Sequence, residues 1–289
     1  QHRVWGGDFL SEVFPQAHVT PPVGEAWLLS DHPSARTVDE EGRDLQGLAP
    51  ERPWFPVLIK LLHAQSDLSV QVHPNDDQAR AIGDLGKTEG WLILAAEPGA
   101  RICFGHTADT AEQLREAIAQ GDLERYLRYV AVQPGQYYAV PPGTVHALGG
   151  GIVALEVQQS SDTTYRLYDY NRRDASGQLR DLHVEDGLAV TTFPQPPLPD
   201  QTTHAASVGD RITYEDHRYY SVSEVHVSGE HSEAPLPSRL LCVILLSGTV
   251  APVEFGRSPS QYQTWLFNEG EIARLAGNGR VALVTIPIR

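Results

Sequence analysis

The sequence predicts a mainly β protein, a sandwich or barrel of the jelly-roll kind with a few short helices. Three observations carry that expectation. Short apolar or alternating runs recur along the 289 residues, and turn signals of Gly, Pro, Asn and Asp separate them. Only one stretch has clear helical periodicity. No regular repeat of 20–50 residues is present, which sets aside solenoids and propellers.

In chain order, β-type segments fall at residues 56–62, 68–73, 91–96, 136–140 and 152–158. The helix spans 110–120. Asp109 or Thr110 serves as its N-cap, and Leu114, Ile118 and Leu127 form an apolar face that resumes over 122–129 after a break at Gly121. Shorter helical pieces are expected at 76–82 and 183–188. The run Phe193-Pro194-Gln195-Pro196-Pro197-Leu198-Pro199-Asp200 reads as a linker, because proline cannot donate to a sheet. Beyond it, segments 240–246, 263–267 and 280–286 make another small β unit, read as a second, degenerate copy. The expected division is therefore 1–192 as an arm plus the main domain, 193–203 as linker, and 204–289 as a C-terminal β domain.

Composition narrows the function. Hydrophobic residues make up 41% and charged residues 20%, an ordinary globular balance, and no apolar run approaches the ~18 residues of a membrane span. The net charge of −15 repels phosphate backbones, so neither nucleic acid nor membrane is an expected partner. A small anionic substrate would need a locally positive pocket. The two cysteines, Cys103 and Cys242, form no paired motif, and a reducing cytoplasm is the expected location. Of 22 cationic residues only Lys60 and Lys87 are lysines.

Four segments carry chemistry. In Leu68-Ser69-Val70-Gln71-Val72-His73-Pro74, strand alternation sends Ser69, Gln71 and His73 to one face and the apolar residues to the other. An imidazole nitrogen and an amide oxygen on one stripe suit a divalent metal, and a solvated strand face is the plain alternative. In Gly86-Lys87-Thr88-Glu89-Gly90-Trp91, Lys87 and Glu89 share a face. They make either a surface ion pair or a proton-handling pair, for which lysine is better suited than arginine. In Val140-Pro141-Pro142-Gly143-Thr144-Val145-His146, a rigid turn delivers His146 to the start of a strand. The glycines 149–151 that follow lack the lysine and the helix of a phosphate loop. Finally, residues 151–166 put Val153, Leu155 and Val157 one way and Ala154, Glu156 and Gln158 the other, with Arg166 past a polar turn. An arginine facing a cleft is an anion-recognition candidate. Lys60, set among apolar residues, reads as a structural ion-pair member or part of the same pocket's rim.

Together these segments resemble the type I mannose-6-phosphate isomerases in their short bacterial form, members of the cupin superfamily. The resemblance extends from Trp5-Gly6-Gly7 to Leu182-His183 and is densest over 55–172, including the long run Leu155-Glu156-Val157-Gln158-Gln159-Ser160-Ser161-Asp162-Thr163-Thr164-Tyr165-Arg166. It implies a cupin-type jelly-roll β-barrel followed by a smaller degenerate cupin-like unit without a metal site. It implies one Zn²⁺ per chain, with other divalent metals possible, held by Gln71, His73, Glu89 and His146. Lys87, Glu156 and Arg166 match the family's catalytic positions.

The implied reaction moves a proton between C1 and C2 of a sugar phosphate through a cis-enediol, interconverting mannose 6-phosphate and fructose 6-phosphate. Glu156, Lys87 and a metal-bound hydroxide all stand as the base, and Arg166 as a contact to phosphate or to enediolate. Three alternatives are weighed beside it: a non-catalytic sugar-binding or regulatory cupin, an isomerase of a different aldose, and an iron oxygenase, since two histidines and a glutamate also make a facial triad. Oligomeric state is open.

Overall fold

The computed structural model describes residues 1–39, 42–49, 55–173, 177–197, 211–234 and 237–288. The chain divides into two compact units, residues 1–26 with 60–202 and residues 27–59 with 203–289. The linker expected at 193–203 is described only as far as 197. Its remainder, and the first residues of the expected C-terminal domain, lie outside the described residues.

The early strands are β1 (His2–Gly7), β2 (Glu25–Leu29), β3 (Val57–Ala64) and β4 (Val70–Val72). After helix α1 (Phe9–Val13) near the start and α2 (Asp76–Ala79) come β5 (Glu89–Ala96) and β6 (Arg101–His106). Helix α3 (Ala111–Ala119) leads to β7 (Leu127–Ala131), β8 (Tyr137–Val140), β9 (His146–Leu148), β10 (Ile152–Gln159) and β11 (Tyr165–Tyr168), and α4 (Val184–Val190) closes the run. One five-stranded sheet has the order β2-β3-β10-β5-β8 and a second the order β11-β4-β9-β6-β7.

One core joins the two sheets. Leu62, Trp91, Ile93, Tyr138, Ile152 and Ala154 from the first meet Ile102, Phe104 and Leu148 from the second. The other face of the second sheet buries Val70, Val72, Cys103, Ala147 and Leu167 against Leu114 of α3 and Leu188 of α4. Val70 and Val72 thus look toward the helices, and Gln71 between them looks inward, as alternation predicts. Leu68 departs from that pattern and packs in the inner core, because the strand begins only at Val70.

The second unit holds β12 (Arg211–Asp216), β13 (Ser221–Glu233), β14 (Arg239–Gly248), β15 (Ala251–Pro252), β16 (Thr264–Phe267) and β17 (Ala273–Pro287). They form one sheet, ordered β12-β13-β17-β14-β16 with β15 beside β17, over a core of Val225, Val243, Leu245, Val281 and Leu283.

The expected jelly-roll barrel is corrected here. The fold is mainly β, but among the described residues its strands make three open antiparallel sheets, and none returns on itself to close a barrel. The same holds for the C-terminal unit, a single open sheet rather than a second small barrel. The inward-facing strands β4 and β9 are three residues each. Pro74 follows β4, and Pro141-Pro142 follow β8, so the ladders stop where proline removes a donor.

The helix at 110–120 forms as Ala111–Ala119, with Thr110 and Gln113 making a reciprocal capping box. Residues 127–129 are strand rather than helix. After a single 3₁₀ turn at Leu123–Tyr126, the alternating Leu127-Arg128-Tyr129-Val130 pairs with β6.

Candidate metal centre and pocket

Strand register brings the separate motifs together. Gln71 on β4 stands opposite Arg166 on β11 and opposite His146 on β9, so three sequence-nominated side chains share one row across three strands. His73 follows at the strand end before Pro74. From the other sheet, Glu89 opens β5 and faces Gln158 on β10, and Trp91 faces Glu156.

His73, Glu89 and His146 converge, all fully buried, with one ligand atom from each lying within 4.8 Å of the others. His73 Nδ1 lies 2.9 Å from the Thr163 carbonyl and His146 Nδ1 lies 2.8 Å from the Thr144 carbonyl. A carbonyl only accepts, so each Nδ1 donates to it and each Nε2 is turned toward the cluster. Those two Nε2 atoms stand 3.5 and 3.2 Å from the Glu89 carboxylate. Neither Glu89 oxygen accepts a hydrogen bond among the described residues.

The titration behaviour follows from this geometry. Burial, then the neighbouring Lys87 ammonium, pushes the His73 imidazole well below its ordinary value, keeping it neutral. Burial works to raise Glu89, but its neighbours, the Lys87 ammonium foremost, outweigh it and hold the carboxyl well below the usual range. Two imidazole nitrogens and a carboxylate, buried and converging on one point, fit a divalent cation, and the carbonyl anchors behind both rings are the usual device for aiming such ligands. Gln71 completes the set. Its amide lies 3.4 Å from His146 Nε2, and a half-turn of the amide offers its oxygen at the same place.

A cavity of about 360 Å³ adjoins this cluster, lined by Gln71, Lys87, Glu156 and Arg166 among others. Lys87 links cavity and cluster, with Nζ 3.3 Å from both Glu89 Oε2 and His73 Nε2. Glu156 is held from two sides, its Oε2 3.2 Å from Lys60 Nζ and its Oε1 accepting from Trp91 Nε1 at 3.0 Å. Burial opposes the charge on Lys60, yet Glu156 and then Glu25 outweigh it, so the ammonium is retained. Lys60 is therefore both ion-pair member and pocket lining. Arg166 donates from Nη1 to the Asp181 carbonyl at 2.8 Å, and burial followed by the nearby Arg180 lowers its pKa.

Sequence reasoning missed Arg3, Glu25 and Arg180 in this lining. Arg3 and Trp5 share a strand face by their i, i+2 spacing, and that signal was available. Arg3 Nε meets Glu25 at 2.7 Å. Arg180 comes from a loop without periodicity and is fixed by Asp169, to which it donates from Nε at 2.7 Å. Five cations (Arg3, Lys60, Lys87, Arg166, Arg180) line the cavity against three acids (Glu25, Asp162, Glu156). The pocket is locally positive in a chain of net charge −15.

A buried His/Glu/His cluster beside a basic cavity on a β scaffold fits the class of metal-assisted enzymes for small anionic substrates. Comparison with known proteins narrows the class. Residues 1–90 match the family model of the phosphomannose isomerase type I catalytic domain. The chain is 39% identical over 275 residues to the mannose-6-phosphate isomerase ManA of Bacillus subtilis strain 168, covering 88% of this chain and 86% of that protein. It is 38% identical over 262 residues to the probable mannose-6-phosphate isomerase GmuF of the same organism, covering 85% and 83%. The crystal structure of the mannose 6-phosphate isomerase from Bacillus subtilis superposes with a TM-score of 0.83 at 32% identity, over 99% of this chain and 96% of that one. The chain belongs to the type I mannose-6-phosphate isomerases. No helix among the described residues is long and apolar enough to cross a membrane.

Proposed function

We propose that the protein interconverts mannose 6-phosphate and fructose 6-phosphate, with zinc as the resident cation on Gln71, His73, Glu89 and His146. The observation that carries this reading is the buried convergence of His73, Glu89 and His146, with neither Glu89 oxygen accepting a hydrogen bond among the described residues. A divalent cation at that point supplies Lewis-acid stabilisation of the negative charge that develops on sugar oxygen during enolisation.

The chain's own groups supply the rest. Glu156 is the base: it takes the proton from C2 of the aldose and returns it to C1 of the enediol, giving the ketose. Lys60 and Trp91 fix both of its oxygens, so the carboxyl group is aimed before substrate arrives. The Lys87 ammonium, buried beside Glu89, moves a proton between the two sugar oxygens. Arg166 and the cationic excess around it neutralise the phosphate dianion, which gives a net-acidic protein the local potential its substrate requires. Free, buried Cys103 and Cys242 agree with a reducing cytoplasm.

The test is an assay of ketose formation run in parallel, reading fructose 6-phosphate from mannose 6-phosphate and fructose from unphosphorylated mannose. Turnover of the phosphorylated sugar with a kcat/KM at least about a hundredfold above mannose is expected, since a paired phosphate contributes several kcal/mol. Metal-loaded protein that turns over neither sugar would instead fit a binding-only member of the family. Equal turnover of both would fit an isomerase of another aldose.

A further inference from the structure

His73 owes its orientation to the Thr163 carbonyl, and that carbonyl sits on a turn with no regular secondary structure of its own. Side chains from other parts of the chain hold the turn. Asp84 Oδ2 accepts from Ser161 Oγ at 2.9 Å and also from Thr163 Oγ1, while Asp84 Oδ1 accepts from the Leu85 amide at 2.8 Å. Ser161 Oγ in turn accepts from the Thr163 amide at 3.2 Å. The buried Gln158 amide donates to the carbonyls of Gln159 and Ser161 at 2.9 and 2.7 Å. On the far side, Gln159 Nε2 donates to Asp76 at 2.9 Å, and Gln159 Oε1 accepts from the Thr88 amide at 2.9 Å, next to both Lys87 and Glu89.

Asp84 holds the Thr163 side chain while Ser161 Oγ holds its amide, and Asp84 comes from a loop after α2 rather than from either sheet. Two hydroxyls converge on one of its oxygens, a charge-assisted arrangement stronger than neutral hydrogen bonds. Without it, Thr163 loses its side-chain anchor and its carbonyl gains freedom to turn away from His73 Nδ1. The imidazole then loses both the fixed tautomer and the fixed plane that present Nε2 to the cluster. We propose that Asp84 is a positioning residue for the cation site, acting through Thr163 on the ligand His73.

The proposal rests on reading the cluster as a cation site, and its test separates the two. Zinc affinity of the full chain is measured by competition with a chromophoric chelator for wild type, Asp84→Ala, Asp84→Asn and Asp77→Ala. Asp77 lies exposed near Asp84 and pairs only with the surface Arg80 among the contacts seen, so it controls for loss of an acidic side chain. Asp84→Ala is expected to bind zinc roughly tenfold more weakly, at the low end for outer partners of a metal ligand. Asp84→Asn, which keeps an acceptor oxygen, recovers part of that loss, and Asp77→Ala matches wild type.

Melting temperature in excess chelator and in excess zinc gives the second readout. A positioning role reduces the zinc-induced shift while the chelated melting temperature stays near wild type. Wild-type zinc affinity in Asp84→Ala overturns the proposal whatever the melting temperature does. So does an unchanged zinc-induced shift on a lowered baseline, which marks a merely structural residue. A wild-type protein that takes up no zinc overturns both this proposal and the cation-site reading.

Discussion

Ring orientation at His73 and His146 decides what the cluster can do. Both Nδ1 atoms are committed to backbone carbonyls, so both Nε2 atoms are turned toward the Glu89 carboxylate. Imidazole nitrogens and a carboxylate gathered in this way are the donor set of a divalent cation. Gln71 and His73 were legible from the sequence because strand alternation alone puts them on one stripe. The Lys60–Glu156 pair was not, because its members lie on β3 and β10 and meet only when those strands become neighbours. At this scale the expectation concerns Glu156. Replacing it by Gln keeps the volume and one acceptor but removes the proposed base. The account predicts a kcat lower by roughly 10²–10⁴-fold with zinc content unchanged, checked by steady-state kinetics beside metal analysis. Loss of zinc in parallel with activity would instead make Glu156 part of the metal's support.

At the scale of elements, turns aim the ligands. Gly143 has φ +82, its amide donates to the His73 carbonyl at 2.9 Å, and its carbonyl accepts from Gln195 Nε2 at 2.7 Å. One turn therefore ties His73 to the strand that carries His146. A Cβ at Gly143 would lie 2.4 Å from Thr192 Oγ1, in a backbone region that side chains avoid. Gly143→Ala should cost about 1–3 kcal/mol of unfolding free energy in urea titrations and weaken zinc retention with it. Unchanged stability would show that the turn can reshape without disturbing either histidine.

The glycines at 149–151 also act as backbone devices. A Cβ at Gly149 would lie 2.0 Å from the Arg101 carbonyl, and Gly151 has φ +78, where β9 turns into β10. That agrees with setting aside a phosphate loop there. The helix boundary at Gly121 was legible, with φ +71 after α3. The strand at 127–131 was hidden, since its pairing with β6 overrides a weak local helical pattern.

For the whole molecule, strand content was legible and sheet closure was not. Alternation reports which face of a strand is buried, whereas closure depends on strand length, stagger and where prolines end the ladders. Residues 27–59 likewise group with the C-terminal residues through contacts no local pattern announces. The molecule's response to acid follows from Asp169, which is buried and paired with Arg180 and Arg172. Burial works to raise its carboxyl, but the two guanidinium groups outweigh it and hold it below its ordinary 3.8. The unfolded chain thus binds this proton more readily than the folded one. The stability from Asp169 is complete above about pH 5 and is lost as pH falls through the lowered folded value. Asp169→Asn should cost about 2 kcal/mol at neutral pH, with the gap to wild type closing below pH ~4 in urea titrations across pH. A gap independent of pH would show that the carboxylate charge is not what stabilises this corner of the pocket.

The central claim is that the His73/Glu89/His146 cluster holds a divalent cation needed to isomerise mannose 6-phosphate. The most direct measurement is formation of fructose 6-phosphate by purified protein stripped with a chelator, then dialysed and returned to stoichiometric zinc. The account predicts a fall in kcat of at least about a hundredfold on stripping, and recovery with one zinc per chain. Full activity in protein shown to be free of metal would contradict it.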